Sequence, residues 1–173
     1  MYLETTRLIL RDPTKQDVDA YLAMCNSEFV LKYNAMTPRT YDSVLKDFAN
    51  AQDSMIFLLE CKENNAVIGA IFVHEDSLRW GVESKELSYF LDEAYSCRGF
   101  MREALHALIT HLFEKENLTC VAARVFAPNV ASRKLLESLG FRLNGVIPAC
   151  VKGYRDVVFD DTLHSVFKTE WHC

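Results

Sequence analysis

The longest amphipathic segment of the chain is followed closely by an almost unbroken apolar run, and these two segments restrict the fold most strongly. Between Gly99 and Glu116 the apolar residues fall on one helical stripe, formed by Met101, Ala104, Leu105, Leu108, Ile109, Leu112 and Phe113. Cys120–Phe126 lacks polar alternation and is typical of a central, buried strand. The pattern therefore predicts a helix followed by a central strand of a sheet.

Shorter segments on both sides of this pair alternate between the two periodicities. The turn residues Glu63, Asn64 and Asn65 separate two apolar runs and indicate a hairpin. Further strands are predicted at residues 7–11, 55–61, 66–74, 86–91, 141–151 and 162–171, and helices at residues 14–25, 41–51 and 129–139. This order predicts one α+β (mixed α/β) domain over residues 1–173, with a mixed sheet and helices on both faces.

The charge of the chain narrows its possible partners. The formal net charge is −5, and lysine and arginine are scattered without a basic run, which argues against a nucleic-acid binder. An acidic balance is compatible with an amine-bearing partner and equally with ordinary solubility. No apolar run approaches the roughly 20 residues that a membrane-spanning helix needs, so we expect no membrane partner.

Cysteine and histidine spacing argues against a metal site. The six cysteines form no C-x-x-C pair, and the five histidines form no H-x-x-x-H pair. Widely spaced cysteines and an amino terminus without a signal-peptide pattern favour free thiols and a cytoplasmic location. The sequence therefore predicts no metal cofactor.

A strand, a short loop and the long helix meet near Gly99, and this junction is a candidate anion site. Free N–H groups at a helix start bind anions, and a glycine lets a ligand approach the backbone closely. Arg98 and Arg102 flank the junction, where cations oppose the helix dipole unless an anion is bound. A plain strand-to-helix turn with two solvated arginines explains the same residues, so the pattern alone leaves both interpretations open.

The helix that Asn129 opens is the second candidate segment. Asn129 is a favourable N-cap, and Gly140 is a favourable residue just beyond the helix end. Ser132 lies in the first turn, where its hydroxyl could donate a proton to a leaving group. An ordinary, well-capped helix is the structural alternative.

Four segments, in the right order, resemble the GNAT acetyltransferases and in particular their RimJ/RimL-like branch. The coenzyme loop of that branch is matched by Tyr95, Arg98, Gly99, Phe100, Met101, Glu103 and Ala104. Its N-x-x-S helix ending in L-G-F is matched by Asn129, Ser132, Leu139, Gly140 and Phe141. Residues 5–11 are similar to its T-x-R-L-x-L-R opening, and Asp161 with Glu170 and Trp171 resembles its closing pattern.

The resemblance implies a mostly antiparallel sheet of about seven strands and direct acetyl transfer from acetyl-CoA to an amine. It also implies that the backbone of Phe90 and Leu91 pairs with the pantetheine arm, while Asn129 contacts the pantetheine or fixes the gap between strands. Ser132 would donate to the departing sulfur. The diphosphate would bind a segment that we call the coenzyme loop, formed by Ser96, Cys97, Arg98, Gly99, Phe100, Met101 and Arg102.

The acceptor side of the implied reaction is less well defined by the sequence. Glu86, at the start of a predicted strand, is the candidate general base, and a chain of water molecules is the alternative. Tyr89 and Tyr154 are candidates for lining the acceptor cleft. An acyl-cysteine on Cys97 or Cys120 is not favoured, because no histidine lies at a spacing that would activate either thiol.

Two positions of the coenzyme loop depart from the family pattern. Ser96 stands where Gln or Arg is usual, and Cys97 stands where glycine is common, so a non-catalytic acyl-CoA-binding or interaction protein is the alternative function. Arg98 would supply the cation that Ser96 lacks, and Cys97 would fit the loop if its φ stays negative. The acceptor would be a peptide amino terminus or a small-molecule amine, and the protein a monomer or a homodimer.

Overall fold

The computed structural model describes residues 2–35, 37–50 and 55–172, and the strands within these ranges form one sheet. The eight strands are β1 (Tyr2–Glu4), β2 (Leu8–Arg11), β3 (Ile56–Cys61), β4 (Ala66–Glu75), β5 (Ser84–Leu91), β6 (Cys120–Phe126), β7 (Arg142–Lys152) and β8 (Val158–Phe167). Their order across the sheet is β1-β2-β3-β4-β5-β6-β8-β7. Neighbouring strands are antiparallel except β5 and β6, which run parallel.

Helices cover both faces of this sheet. In the described residues they are α1 (Val18–Cys25), α2 (Glu28–Leu31), α3 (Tyr41–Ala49), α4 (Phe100–Lys115) and α5 (Val130–Ser138). The apolar stripe of α4 packs with Leu136 of α5 in the larger core cluster, which also contains Leu87 of β5. The smaller cluster joins α1 and α3 to the opposite face and contains Phe90. Because side chains alternate between the two faces of a strand, β5 contributes residues to the core on each face of the sheet.

The predicted fold class is confirmed, with one strand more than expected. Strand β1 was missing from the prediction, and it pairs with β2 through a tight turn in which the Thr5 N–H donates to the Leu8 carbonyl at 2.9 Å. The hairpin predicted at residues 63–65 is also present, and Asn65 takes the left-handed conformation with φ +57°. The short helix α2 was not predicted either; Ser27 caps it by accepting the Val30 N–H.

The prediction for the closing strand, residues 162–171, is wrong at both ends. Strand β8 begins at Val158, and the chain leaves the sheet after Phe167 in a 3-10 turn at Lys168–Glu170. Adjacent aspartates at 160 and 161 indicate a loop, yet the structure buries Asp161 within the strand. Arg124 of the neighbouring strand makes this burial possible, because its guanidinium pairs with the Asp161 carboxylate at 2.8 Å.

Two helix boundaries also differ from the prediction. The segment predicted from residue 14 begins as a 3-10 turn at Lys15–Asp17, and α1 starts only at Val18. Asp17 fixes this turn, because its carboxylate accepts the Thr14 N–H at 2.7 Å and pairs with Arg11. The helix predicted at residues 41–51 ends at Ala49, and residue 51 lies outside the described residues.

Three further features of the described residues bear on the class of protein. None of their helices combines the length and the apolar character needed to cross a membrane. Their cysteines, which are Cys25, Cys61, Cys97, Cys120 and Cys150, are all free thiols. In the same part of the chain, no group of three or more His, Cys, Asp or Glu side chains could hold a metal ion.

Candidate active site

The parallel pair β5 and β6 separates partway along its length. Backbone pairing between the two strands ends where Leu87 lies opposite Ala123, although β5 continues to Leu91 and β6 to Phe126. On its other edge, β5 remains paired with β4 as far as Leu91. The sheet therefore opens between β5 and β6, and the backbone at Phe90 and Leu91 borders the opening.

Gly99 caps the amino end of α4 in the left-handed backbone conformation, with φ +80°. The first helical hydrogen bond runs from the Glu103 N–H to the Gly99 carbonyl at 3.1 Å, so the N–H groups of Phe100, Met101 and Arg102 precede the helical ladder. The side chains of Phe100 and Met101 are buried in the core. These two residues can therefore serve a ligand only through their N–H groups.

Two guanidinium groups stand over the first residue of α4. The Arg7 guanidinium lies 4.3 Å from the centre of the Phe100 ring, and the Arg98 guanidinium lies 5.2 Å from it. Arg7 also donates from Nη1 to the Arg98 carbonyl at 3.0 Å. Positive charge thus collects beside N–H groups at a helix start, which is the arrangement that binds an anion.

Glu103 places Arg7 beside the coenzyme loop. Its carboxylate accepts the Thr5 hydroxyl at 2.6 Å, the Arg7 N–H at 2.8 Å and the Arg7 Nε at 2.6 Å. Burial acts to raise the pKa of Glu103, but the hydrogen bonds from Thr5 and Arg7 outweigh it, and the pKa lies below its ordinary value. Arg7 was not assigned to the coenzyme loop from the sequence, although the motif at residues 5–11 contains both Thr5 and Arg7.

Cys97 does not meet the condition of a negative φ. Its φ is +57°, in the left-handed region that favours glycine, whereas the preceding Ser96 has an ordinary φ of −65°. A left-handed conformation costs a residue with a Cβ about 1–2 kcal/mol. The coenzyme loop therefore requires at position 97 the conformation that the common family glycine adopts freely.

The substitution Cys97→Gly is expected to raise the free energy of unfolding by roughly 0.5–1 kcal/mol, because the relieved strain exceeds the roughly 0.5–1 kcal/mol of extra chain entropy that glycine adds to the unfolded state. Urea unfolding of the two proteins measures the difference. Ser96→Gly is the matched control and should lose stability, because no strain is relieved there. If Cys97→Gly were no more stable than the parent protein, the strained loop would be ruled out.

The second predicted segment forms α5 and brings Ser132 to the opening of the sheet. Asn129 caps the helix, since its side-chain oxygen accepts the Ser132 N–H at 3.2 Å. Arg102, in the first turn of α4, donates to the Ser138 carbonyl at 3.4 Å and so connects the coenzyme loop with the end of α5. The two chemistry-bearing segments therefore lie side by side.

A hydrogen bond of 2.7 Å joins the hydroxyl groups of Ser132 and Tyr89. Burial raises the pKa of Tyr89 to about 12, although the hydrogen bond with Ser132 opposes this shift. Tyr89 consequently remains protonated at neutral pH and can orient the Ser132 hydroxyl. From the sequence, Tyr89 was only a candidate for lining the acceptor cleft. Its contact with Ser132 could not be predicted, because 43 positions separate the two residues.

A cavity of about 430 Å³ lies beside this hydroxyl pair, and we call it the central cleft. Five predicted site residues line it, namely Glu86, Tyr89, Phe90, Asn129 and Ser132. Leu91 and the coenzyme loop lie outside its wall, and so do Tyr154, Cys97 and Cys120. The predicted residues thus divide between the start of α4 and the central cleft, and Arg102 links the start of α4 to α5, the helix that carries Ser132.

Glu86 is the carboxylate of the central cleft that lacks an ion-pair partner among the described residues. Burial raises the pKa of Glu86, and Asp76 and Asp161 add to the increase while Arg124 opposes it. A carboxylate with a raised pKa is a stronger base once it has lost its proton. Its environment therefore suits the predicted role of general base.

Two further residues of the cleft were not assigned to it from the sequence. Arg124 donates from Nε to the Asp161 carboxylate at 2.8 Å, and both side chains line the cleft. His74 pairs with Glu86 across β4 and β5, and its Nε2 lies 2.8 Å from the Ser88 hydroxyl. Partial burial of the imidazole lowers the pKa of His74, so this ring is neutral at physiological pH.

An opened parallel pair of strands, a helix start with free N–H groups and a buried hydroxyl pair are together suited to binding an acyl-coenzyme and to acyl transfer. The family comparison agrees, because the model of the acetyltransferase (GNAT) domain matches residues 7–142. The chain belongs to the GNAT acetyltransferase family. Among curated proteins it is similar to the uncharacterized N-acetyltransferase YoaA of Bacillus subtilis, with 29% identity over 84% of this chain and 85% of the relative. It also resembles the uncharacterized N-acetyltransferase p20 of Bacillus licheniformis, with 28% identity over 98% and 97%.

Solved structures share the fold at lower sequence identity. A GNAT-family acetyltransferase from Bacillus anthracis superposes with a TM-score of 0.87 at 20% identity, covering 98% of this chain and 100% of the other. The ribosomal-protein-S5-alanine acetyltransferase from Vibrio fischeri gives 0.87 at 19% identity over the full length of both. RimJ of Mycobacterium smegmatis, solved with CoA-disulfide, gives 0.80 at 16% identity, covering 94% of this chain and 83% of RimJ.

Proposed function

We propose that this acyltransferase is an acetyl-CoA-dependent N-acetyltransferase that transfers the acetyl group directly to an amine. The observation that carries the proposal is the opening between β5 and β6 with the Ser132–Tyr89 pair beside it, together with the free start of α4, which Arg102 links to α5. An extended pantetheine arm needs backbone partners, and Phe90 and Leu91 offer them on the edge of β5 that faces the opening.

The coenzyme loop would hold the diphosphate. The N–H groups of Arg98 to Arg102 would face the diphosphate at the positive end of the α4 dipole, and Arg98 adds a full charge. Asn129 orients the first turn of α5 through the Ser132 N–H and would contact the pantetheine with its remaining amide group. Arg7 supports the loop by holding the Arg98 carbonyl.

Transfer would require a neutral amine, because an ammonium group has no free electron pair with which to attack the thioester carbonyl. Glu86 would accept the proton of the amine, directly or through water. As the carbon–sulfur bond breaks, Ser132 would donate its hydroxyl proton to the departing thiolate. Tyr89 would hold that hydroxyl in place and share its proton through the 2.7 Å hydrogen bond.

Acetyl-CoA should stabilise the protein by mass action. At a concentration 100 times its Kd the coenzyme adds about 2.7 kcal/mol, which corresponds to a melting temperature about 5–10 °C higher for a chain of this size. Differential scanning fluorimetry measures the shift, and release of free thiol in the presence of an amine panel measures transfer. No shift at millimolar acetyl-CoA, or a shift without transfer to any amine, would contradict the proposed function.

The variant Arg98→Glu tests the diphosphate site within that experiment. Reversing the charge should weaken acetyl-CoA binding by about tenfold or more, because a charge-assisted contact is lost and a repulsive one is introduced. Lys46→Glu is the control, since Lys46 is exposed on α3 and equally changes a cation to an anion. Equal affinities of the two variants, measured by calorimetry, would remove Arg98 from the site.

A further inference from the structure

A second cavity, of about 260 Å³, adjoins the central cleft. Glu86 and Arg124 line both cavities, so the two are separated by no more than these side chains. The second cavity extends towards the loop between β4 and β5 and is lined there by Leu78 and Arg79. A molecule whose amine lies at Glu86 can therefore continue along the sheet into the second cavity.

The fixed cations of the two cavities are already paired. Among the described residues that line them, these cations are Arg39, Arg79 and Arg124, and their carboxylate partners are Asp47, Asp76 and Asp161 respectively. The imidazoles of His74, in the central cleft, and His164, in the second cavity, are neutral at physiological pH, because burial lowers the pKa of each. A carboxylate on the acceptor would consequently enter both cavities without a free cation to receive it.

The two cavities do contain carboxylate oxygens that lack partners among the described residues. Glu86 forms no ion pair with a described residue, and the Oδ1 atom of Asp161 is buried without a hydrogen-bond partner among them. A buried carboxylate oxygen without a hydrogen-bond partner is energetically unfavourable. Asp161 lines the central cleft, so its carboxylate adds a hydrogen-bond acceptor, and no unpaired cation, to the wall there.

Part of the wall of the second cavity is apolar. Leu78 is 53% exposed on the loop, and Leu163 of β8 also lines the cavity. The side-chain amide of Asn144 adds a polar group, and its oxygen accepts the Ser165 hydroxyl at 2.7 Å. This wall suits an uncharged, apolar group that carries an amide or carbonyl.

We propose that the second cavity is a specificity subsite for the part of the acceptor that follows the reactive amine. The acceptor class is an elongated amine that bears no carboxylate and continues into an uncharged apolar group. The inference rests on the proposed function, because it requires that the amine is acetylated beside Glu86. It adds which amines are selected, and it assigns a role to a cavity outside the central cleft.

Three acceptors with the same first unit test the subsite. Alanyl-leucinamide should exceed alaninamide in kcat/KM by about tenfold or more, because only the longer molecule reaches the second cavity. Alanyl-leucine, which differs from the amide by a terminal carboxylate, should be poorer by about tenfold, since no fixed cation receives that charge. Equal kcat/KM values for the two amides, or a preference for alanyl-leucine, would overturn the inference.

A variant pair locates the effect. Leu78→Ala should lower kcat/KM for alanyl-leucinamide by about fivefold while leaving alaninamide unchanged, because it removes apolar contact in the subsite only. Val82→Ala changes a 41% exposed apolar residue of the same loop that lines neither cavity, and it should alter neither substrate. Equal effects of Leu78→Ala on both acceptors would contradict the subsite. Transfer to no amine at all would instead contradict the proposed function.

Discussion

Replacing Ser132 with alanine should lower kcat for acetyl transfer by about 100-fold and leave the Kd of acetyl-CoA nearly unchanged. Proton donation by a positioned side chain accelerates such steps by about 10²–10⁴-fold, and a thiolate, being a good leaving group, places the effect at the lower end. Ser132 contacts Tyr89 in the opening of the sheet and takes no part in the coenzyme loop. Steady-state kinetics and calorimetry separate the loss of turnover from a loss of binding.

The variant Tyr89→Phe tests whether Tyr89 acts together with Ser132. It deletes the partner hydroxyl while keeping the ring, and it should lower kcat by about tenfold. If the two hydroxyl groups act as a unit, the double variant should be no slower than Ser132→Ala alone. Ser138→Ala, near the far end of α5, is the control and should retain full activity. Additive effects of the two site substitutions would show that Tyr89 and Ser132 act separately.

Replacing Glu86 with glutamine should lower kcat/KM at pH 7 by about 10²–10³-fold, because the amide cannot accept the proton of the amine. The parent protein should show an acid limb in its pH profile above the ordinary glutamate pKa of about 4.3, since burial raises the pKa of Glu86. The limb should vanish in Glu86→Gln. Glu83→Gln, at an exposed neighbouring position, should keep the limb. An unchanged acid limb in Glu86→Gln would assign the proton to another group or to water.

The same substitution should increase stability. A folded-state pKa above the unfolded one means that the fold disfavours the charged form of Glu86, and this cost applies at pH values above the folded pKa. Glu86→Gln should therefore unfold at a higher urea concentration than the parent protein at pH 7. The difference should disappear at pH values below about 4, where the carboxyl is protonated in both states. Activity lost together with stability gained is typical of a functional residue held in an unfavourable environment.

Local patterns predicted the elements that carry their own signals. The apolar stripe of α4 and the apolar run of β6 were sufficient to predict a helix and a central strand. The observed ends of both elements lie within one or two residues of the predicted ends. Asn129 and Gly140 predicted the ends of α5 because capping depends on neighbouring residues only. These local rules hold wherever the partner group lies within one turn.

Contacts between residues that lie far apart along the chain could not be predicted from the sequence. The burial of Asp161 depends on Arg124 from a different strand, and a pattern reading therefore treats the aspartate as a loop residue. The pairing of Ser132 with Tyr89 and the support of the coenzyme loop by Arg7 likewise depend on how separate elements pack. The left-handed φ of Cys97 is a further case, because the residue type alone argues against that conformation.

The opening between β5 and β6 could not be predicted from the sequence either. Both strands read as continuous in sequence, and nothing in their residues marks Leu87 as the last paired position of β5. The second cavity arises where the β4–β5 loop and β7 meet, and these segments are far apart along the chain. A resemblance to a family could therefore indicate the reaction, whereas the cavity that we propose as an acceptor subsite became visible only in the structure.

A crystal structure of the protein with bound acetyl-CoA would test the coenzyme site and the transfer geometry together. We expect the diphosphate within hydrogen-bond distance of N–H groups between Arg98 and Arg102, the pantetheine paired with β5 at Phe90 and Leu91, and the thioester sulfur beside the Ser132 hydroxyl. A diphosphate bound away from the start of α4, or a thioester remote from Ser132, would contradict this prediction.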